Sequence, residues 1–485
     1  MSLSSSTSLP LRSARPAPAR GPGGRSQRLR WGWVEVVTLS LVLIPALSFV
    51  SILNPIRLPL RVVQYGIGLV AWAGVLMTGN VRRLPPFTGR GWVMFTAGWL
   101  FLQLFNPMGD LPLAAPAQFL MTLSILSPIF WAPRISTSPA RVSQLMRILF
   151  LCGFANLIFG YLQFYNPGQV VRDSYIPGRF DPPSIPLVEL YQQTGQWQDL
   201  MMERPNGQKV FRPFGLSDQP GGAAVAASNC FLIAMLWIIR RGPYWKRGLY
   251  GAVALLSMVM LYLCQSRIIY LITLGGLVLL AVSLFLRRDF RSLSVLLTLG
   301  LAVFVAALAW VIRNGGEDAL KRFEALLDKS ASKVYADNRG QFLESTFERI
   351  IWEYPLGAGL GHWGMMNHYF GDRQTSLYSE IQVTAWIFDG GIPLLISYSG
   401  AILLVIWHVF RLSLRTRDPE FAKTLCTICS MATGTVVCGF SGMPFIAPLG
   451  LQFWLILGAT IGAAAYQTPA RAGVRPGQAS GRGRP

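Results

Sequence analysis

The sequence predicts an all-α polytopic membrane protein with about twelve transmembrane helices. Apolar stretches of about 16 to 22 residues recur twelve times along its 485 residues, and Lys and Arg crowd into every second connection. A helix crossing the hydrocarbon core needs about 20 apolar residues, and basic loops stay cytoplasmic and orient the helices between them. With the N-terminus inside, the inner segments take 27 of the 43 Lys and Arg but 4 of the 22 Asp and Glu (Glu35, Asp289, Asp418 and Glu420). The outer segments keep 16 basic and 18 acidic residues, near neutrality. This asymmetry accounts for the net charge of +21 without nucleic acid.

Residues 1–32 open the chain as a basic cytoplasmic tail, with six Arg among Ser, Pro and Gly in the first 30 residues. Such a composition buries no core and is expected to be disordered, as is the basic tail 467–485. Next to a membrane, these tails orient the neighbouring helix and touch anionic lipid. The opening stretch does not read as a cleavable signal, because its basic region is long and the apolar run after it is long enough to span.

Between the tails, 33–466 reads as a transmembrane domain with spans at 33–53, 62–79, 92–107, 114–132, 145–164, 222–239, 248–264, 268–286, 292–312, 391–410, 424–441 and 445–466. Twelve is even, so both termini are expected inside. The inner connections are marked by Arg82, Arg83 and Arg90; Arg134, Arg141 and Arg147; Arg240, Arg241, Lys246 and Arg247; Arg287, Arg288 and Arg291; and Arg411, Arg415, Arg417 and Lys423. All six cysteines fall within spans. Cys426 and Cys429 form a CxxC, which inside an apolar helix with no second pair reads as packing of small side chains, with no disulfide expected.

Two connections, 165–221 and 313–390, are too long to be turns and hold 13 of the 16 outer basic residues. Long loops in compact proteins are usually functional. The first ends in Arg212-Pro-Phe-Gly-Leu-Ser-Asp-Gln-Pro-Gly-Gly222, where free backbone N–H groups at a helix start and one Arg could hold an anion. An ordinary loop with an interfacial Arg is the competing reading. Ser266-Arg267 follows in a connection so short that Arg267 must lie at or just below the outer surface, where it calls for a partner or must snorkel.

In the second loop, Glu317 to Lys329 places Leu320, Phe323, Leu326 and Leu327 on one helix side, as for an element lying in the interface. After Asn338-Arg339-Gly340, a second amphipathic helix with Phe342, Leu343, Phe347, Ile350 and Ile351 is stopped by Pro355. Gly357, Gly359 and Gly361 then allow sharp turns and close approach to a ligand, or simply a flexible loop; they make no dinucleotide fingerprint, since they follow a helix. A further helical run is expected from Ser376 to Asp389.

Three of these segments resemble the bacterial O-antigen ligase and polymerase family: Arg212 to Gly222 before a helix, Ser266-Arg267 opening a helix, and Asn338-Arg339-Gly340 followed by Glu353-Tyr-Pro-Leu-Gly-Ala-Gly-Leu-Gly361. In order and spacing they cover the chain from about 210 to 400. The resemblance implies a lipid-dependent, C-type-like membrane glycosyltransferase of the bacterial inner membrane, with both long loops periplasmic. It would take glycan from undecaprenyl diphosphate, with no cofactor, alongside membrane lipid and with a chain-length regulator protein as a candidate partner.

Arg212, Arg267 and Arg339 match the family's motif arginines, with Arg322 a weaker fourth, and planar guanidinium suits the leaving diphosphate because its fork meets phosphate oxygens bidentately. Gly357, Gly359, Gly361 and His362 complete the candidate substrate-binding set. The acceptor hydroxyl also needs a base. The ligase branch carries a His about eleven positions before the Gly that opens the next span; here the count falls on Ser379 or Glu380. Glu380 is therefore the candidate base, although a helix-surface carboxylate is a commoner role for it. His362 and His368 are isolated loop histidines, and His408 lies towards the inner end of a span.

The missing His favours a repeat-unit polymerase of O-antigen or exopolysaccharide over an O-antigen ligase or protein O-oligosaccharyltransferase. The outer loops carry no Asp-x-Asp pair or His/Cys cluster with ligand spacing, so metal catalysis is not expected. A solute transporter or flippase is the alternative of another class, but of the Asp, Glu, Lys and Arg residues only Glu35 and Arg147 fall within the spans, both near inner ends.

Overall fold

The computed structural model describes residues 31–47, 57–78, 83–109, 112–166, 201–203, 209–217, 220–328, 340–371 and 377–467. Helices α1 (Trp33–Leu47), α2 (Arg57–Met77), α3 (Arg90–Leu102), α4 (Ala114–Leu126), α5 (Pro128–Ile135) and α6 (Pro139–Tyr165) come first. A small hairpin follows, β1 (Met201–Glu203) antiparallel to β2 (Lys209–Phe211). Then come α7 (Pro220–Ile239), α8 (Tyr244–Leu263), α9 (Arg267–Leu286), α10 (Phe290–Asp328), α11 (Gly364–Phe370), α12 (Gln382–Arg415), α13 (Pro419–Cys438) and α14 (Pro448–Gln467).

Among the described residues, nine helical segments are long and apolar enough to cross a membrane: Ala114–Ile135, α6, Gly221–Ile239, α8, Ile268–Leu286, Phe290–Arg313, α12, α13 and Pro448–Tyr466. The protein is an all-helical, multi-pass membrane protein. The three spans expected at 33–53, 62–79 and 92–107 fall on α1, α2 and α3, whose described apolar lengths are shorter. At 1.5 Å per residue, the 13 residues of α3 reach only about 20 Å. A 3₁₀ turn, Gln103–Phe105, prolongs it before Pro107.

One apolar core runs through the bundle, with Trp131, Phe231, Tyr398 and Trp454 among its buried side chains. Close helix contacts use small residues, as membrane helices do. A side chain at Gly458 would press on Pro128 O at 2.9 Å, and one at Gly462 would collide with Pro133 O, so α14 lies tight against α5. An aromatic group, with Trp386 stacked on Tyr398 at 4.8 Å and Phe445 5.7 Å from each, joins α12 to the turn before α14.

At one end of the bundle, ion pairs tie helices together. Arg141 meets buried Glu35 through Nε at 3.0 Å and Nη2 at 3.1 Å, and Lys423 meets Glu420 at 3.0 Å and Asp289 at 3.8 Å. Arg141, Asp289, Glu420 and Lys423 belong to the connections read from sequence as inner, and Glu35 to the inner end of the first span. Cys426 and Cys429 are free, buried thiols of α13 and belong to the apolar core.

Two elements differ from the sequence reading. The amphipathic segment after Glu317 is not a separate element: α10 runs unbroken for 39 residues, about 58 Å. No proline interrupts it, and Gly315 and Gly316 weaken a helix without forbidding it. The helix expected from Ser376 begins only at Gln382, since 377–381 is not helical and Leu377 is bridged to Trp363. α12 is also kinked within its length, where Gly390 (φ −168°) and Gly391 (φ 66°) leave helical geometry. The residues 341–353 form short helical turns, Gln341–Ser345, Thr346–Ile350 and Ile351–Glu353, which end just ahead of Pro355.

Candidate functional site

The turn after β2 is built by polar groups of α6 that reach out of an otherwise apolar helix. Gln163 accepts from the backbone N–H groups of Phe214 (3.1 Å) and Gly215 (2.8 Å) through Oε1, and donates to Gly215 O through Nε2 (3.0 Å). Asn156 accepts from Leu216 N at 3.1 Å and donates to Ser217 Oγ at 3.2 Å. Gly215 adopts φ 60°, and a Cβ there would run into Asn156. The turn is thus held by five hydrogen bonds to two side chains, with Phe214 buried beneath it.

This turn is strapped to the α8–α9 connection. Arg212 Nε donates to Cys264 O at 3.2 Å, and the Cys264 thiol reaches Pro213 O at 3.4 Å. Ser266 then caps the start of α9 in extended geometry, so the backbone of Arg267 opens that helix three residues after the carbonyl Arg212 contacts. Two of the segments singled out in the sequence, 54 residues apart at Arg212 and Ser266, meet here. The side chains of Arg267, Arg322 and His368 lie outside the described residues, as does Arg339 altogether.

The residues after Arg339 do appear, and they pack on the first turn of α12. The Thr346 and Thr384 hydroxyls are 2.6 Å apart, and the Phe342 and Tyr378 rings are 6.1 Å apart. Tyr378 donates to Glu380, which is half-buried. α12 in turn starts against the C-terminal end of α13, with Gln382 N donating to Gly439 O at 2.9 Å and to Gly442 O at 3.0 Å. The same part of α13 packs on the first turns of α9, where a Cβ on Gly434 would sit 2.9 Å from Ile272. The described parts of the three segments therefore occupy one end of the bundle, opposite the Glu35–Arg141 pair.

The glycine loop is fixed by the protein's own backbone. Gly357 (φ 95°) lies so near Gly390 that a Cβ would come within 2.8 Å of its Cα, and a Cβ on Gly361 (φ 86°) would come within 2.6 Å of the Ala114 carbonyl carbon. Gly359 (φ 98°) faces Gly109 at 3.1 Å by the same measure. These glycines bring the loop close to the backbone at Gly109, at the start of α4 and at the α12 kink. Ala358 N donates to Phe388 O and Ile392 N to Pro355 O, each at 2.9 Å, while Trp99, Gln103 and Asn106 donate to Gly390 O, Leu356 O and Gly357 O. His362 is half-buried, and its carbonyl accepts from Leu377 N at 2.8 Å.

Sequence reasoning missed the polar residues that hold this end together. Asp389, buried at the α12 kink, accepts from Trp363 Nε1 at 2.8 Å and Gln118 Nε2 at 3.3 Å. With Asn156 and Gln163, these are polar groups in or beside apolar helices, which is the signal that could have marked them. His408 accepts from Thr88 N at 3.3 Å at the other end. Among the described residues, no group of three His, Cys, Asp or Glu side chains could hold a metal ion.

No protein-family profile matches the chain. No curated protein matches it either. Among solved structures it is similar to a chain from a structure described as the structural coordination of polymerization and crosslinking by a peptidoglycan synthase complex. The TM-score is 0.39 and the identity 15%, over 77% of this chain and 96% of that one. At that level of likeness, two chains need share neither a site nor a reaction.

Proposed function

We propose that the protein is an inner-membrane glycan polymerase, which joins undecaprenyl-diphosphate-linked repeat units of an O-antigen or exopolysaccharide on the periplasmic face. The strap from Arg212 to the Cys264 carbonyl carries this reading, because it sets a motif arginine beside the helix start that bears a second one. The resemblance in three ordered segments supplies the chemistry. In this reading both termini are cytoplasmic and the end bearing Arg212 and Glu380 faces the periplasm.

The acceptor's terminal sugar hydroxyl attacks the anomeric carbon of the donor glycan. The new glycosidic C–O bond forms as the bond to the diphosphate oxygen breaks, and the electron pair leaves on that diphosphate. Arg212, Arg267 and Arg339 take up the negative charge, with Arg322 on the extension of α10 as a fourth cation; such stabilisation is commonly the largest catalytic term. The acceptor proton passes to Glu380. Gly357, Gly359 and Gly361 serve by fixing the loop that presents His362 to the sugars. Membrane lipid surrounds the site, and a chain-length regulator is the protein partner this reaction suggests.

Deleting the gene and resolving surface polysaccharide on a gel tests the reading. Polymer is expected to collapse to single-repeat material. Full-length but unattached glycan would instead make the protein a ligase, and an unchanged ladder would remove both.

A further inference from the structure

At the end of the bundle opposite the candidate site, α6, α7, α8 and α13 enclose a cleft of about 590 Å³. Arg147, Arg240, Arg241, Lys246 and Arg247 line it, against two carboxylates, Asp418 and Glu420. Both carboxylates are already engaged. Asp418 caps α13 by accepting from Glu420 N and Phe421 N, while Glu420 is shared between Lys423 at 3.0 Å and Arg240 at 3.6 Å. Among the described residues, no carboxylate pairs with Arg147, Arg241, Lys246 or Arg247. The cleft therefore presents a surplus of positive charge.

The cations are also pre-positioned. Arg240 and Arg147 lie over the same Trp237 indole, 4.5 and 5.7 Å from its centre, so two like charges share one ring. Arg240 is held by Thr424 Oγ1 at 2.5 Å and Glu420 O at 3.2 Å, and Arg247 is held by Arg240 O at 3.1 Å. Burial lowers the Arg240 pKa, Glu420 opposes the fall, and Arg147 adds to it. An anion placed between Arg147 and Arg240 would relieve that repulsion and meet planar donors suited to phosphate oxygens.

The cleft mouth identifies the source of that phosphate. Tyr244 and Trp245, 85% and 68% exposed, stand beside it at the start of α8, with exposed Leu249 one turn further in. Aromatic side chains gather at the headgroup level, and apolar ones below it face acyl chains. Basic pockets between membrane helices suit anionic headgroups. The geometry points to a headgroup site: this cleft holds the phosphate of an anionic phospholipid from the leaflet on its side of the membrane, away from the transfer site.

The test is native mass spectrometry of the full chain released from micelles containing phosphatidylglycerol, cardiolipin or phosphatidylcholine. The wild type is expected to retain the two anionic lipids in preference to phosphatidylcholine. Arg147→Gln with Arg241→Gln, both exposed and free of carboxylate partners, should cut retention by about fivefold per cation removed. Arg411→Gln with Arg415→Gln, at the same end but outside the cleft, should leave retention unchanged. Equal retention in the cleft variant, an equal loss in the control pair, or preference for phosphatidylcholine would overturn the site. Displacement of retained lipid by millimolar inorganic phosphate would make it a site for free phosphate instead, against the proposal.

Discussion

Arg267→Ala is expected to abolish polymer while leaving the chain inserted in the membrane, and Arg339→Ala to do the same. In the proposed reaction each removes a cation that would meet the leaving diphosphate, and losing one such preorganised donor slows transfer by about 10² to 10³-fold. Both changes leave every apolar residue of the spans in place, so abundance in the membrane fraction should match the wild type. A Lys at either position keeps the charge but loses the bidentate fork, and should give an intermediate ladder. Surface polysaccharide on gels, read beside an immunoblot of membranes, checks this. Wild-type chain lengths in both Ala variants would remove the site.

Gly391→Ala is expected to be the most damaging small substitution at this end of the bundle. The residue sits at φ 66°, in the left-handed region, and an added Cβ would collide with Pro355 O. Strain of about 1–3 kcal/mol from the backbone and a similar amount from overpacking should undock the loop from the α12 kink. That docking holds the Ala358–Phe388 and Pro355–Ile392 hydrogen bonds. Thermal unfolding in detergent should shift down, and proteolysis should open the chain between 355 and 363. Gly98→Ala, which meets nothing within 4 Å, should behave as wild type and serves as the control. Unaltered stability of Gly391→Ala would mean that the kink does not depend on this contact.

Much of the architecture was legible because membrane spanning is a one-dimensional constraint. Apolar length and the placement of Arg and Lys marked every segment that forms a long apolar helix, from Ala114–Ile135 to Pro448–Tyr466. What could not be read depends on contacts distant in sequence. The break at Gly390 and Gly391 falls where the sequence ends one helical run at Asp389 and opens a span at 391, but the docking of Pro355 and Leu356 against it could not be read from the sequence. α10 continues past Gly315 and Gly316 although local propensity suggests a break, and the amphipathic pattern after Glu317 was taken for a separate interfacial element.

The site shows the same division. The patterned loops drew attention to Arg212 and Ser266-Arg267, and these segments do meet. Yet the groups that hold the turn, Asn156 and Gln163, sit inside a helix whose apolar average concealed them. Asp389 was likewise read as the end of a helical run; its role became visible only with Trp363 and Gln118 beside it.

The central claim is that guanidinium groups from three separate segments grip one diphosphate. Binding of undecaprenyl diphosphate to the purified chain, measured for the wild type and for Arg212→Ala, Arg267→Ala and Arg339→Ala, tests it most directly. The account predicts that each substitution alone weakens binding by at least about tenfold, as expected when a charged hydrogen-bond partner is lost. Wild-type affinity in all three variants would contradict it.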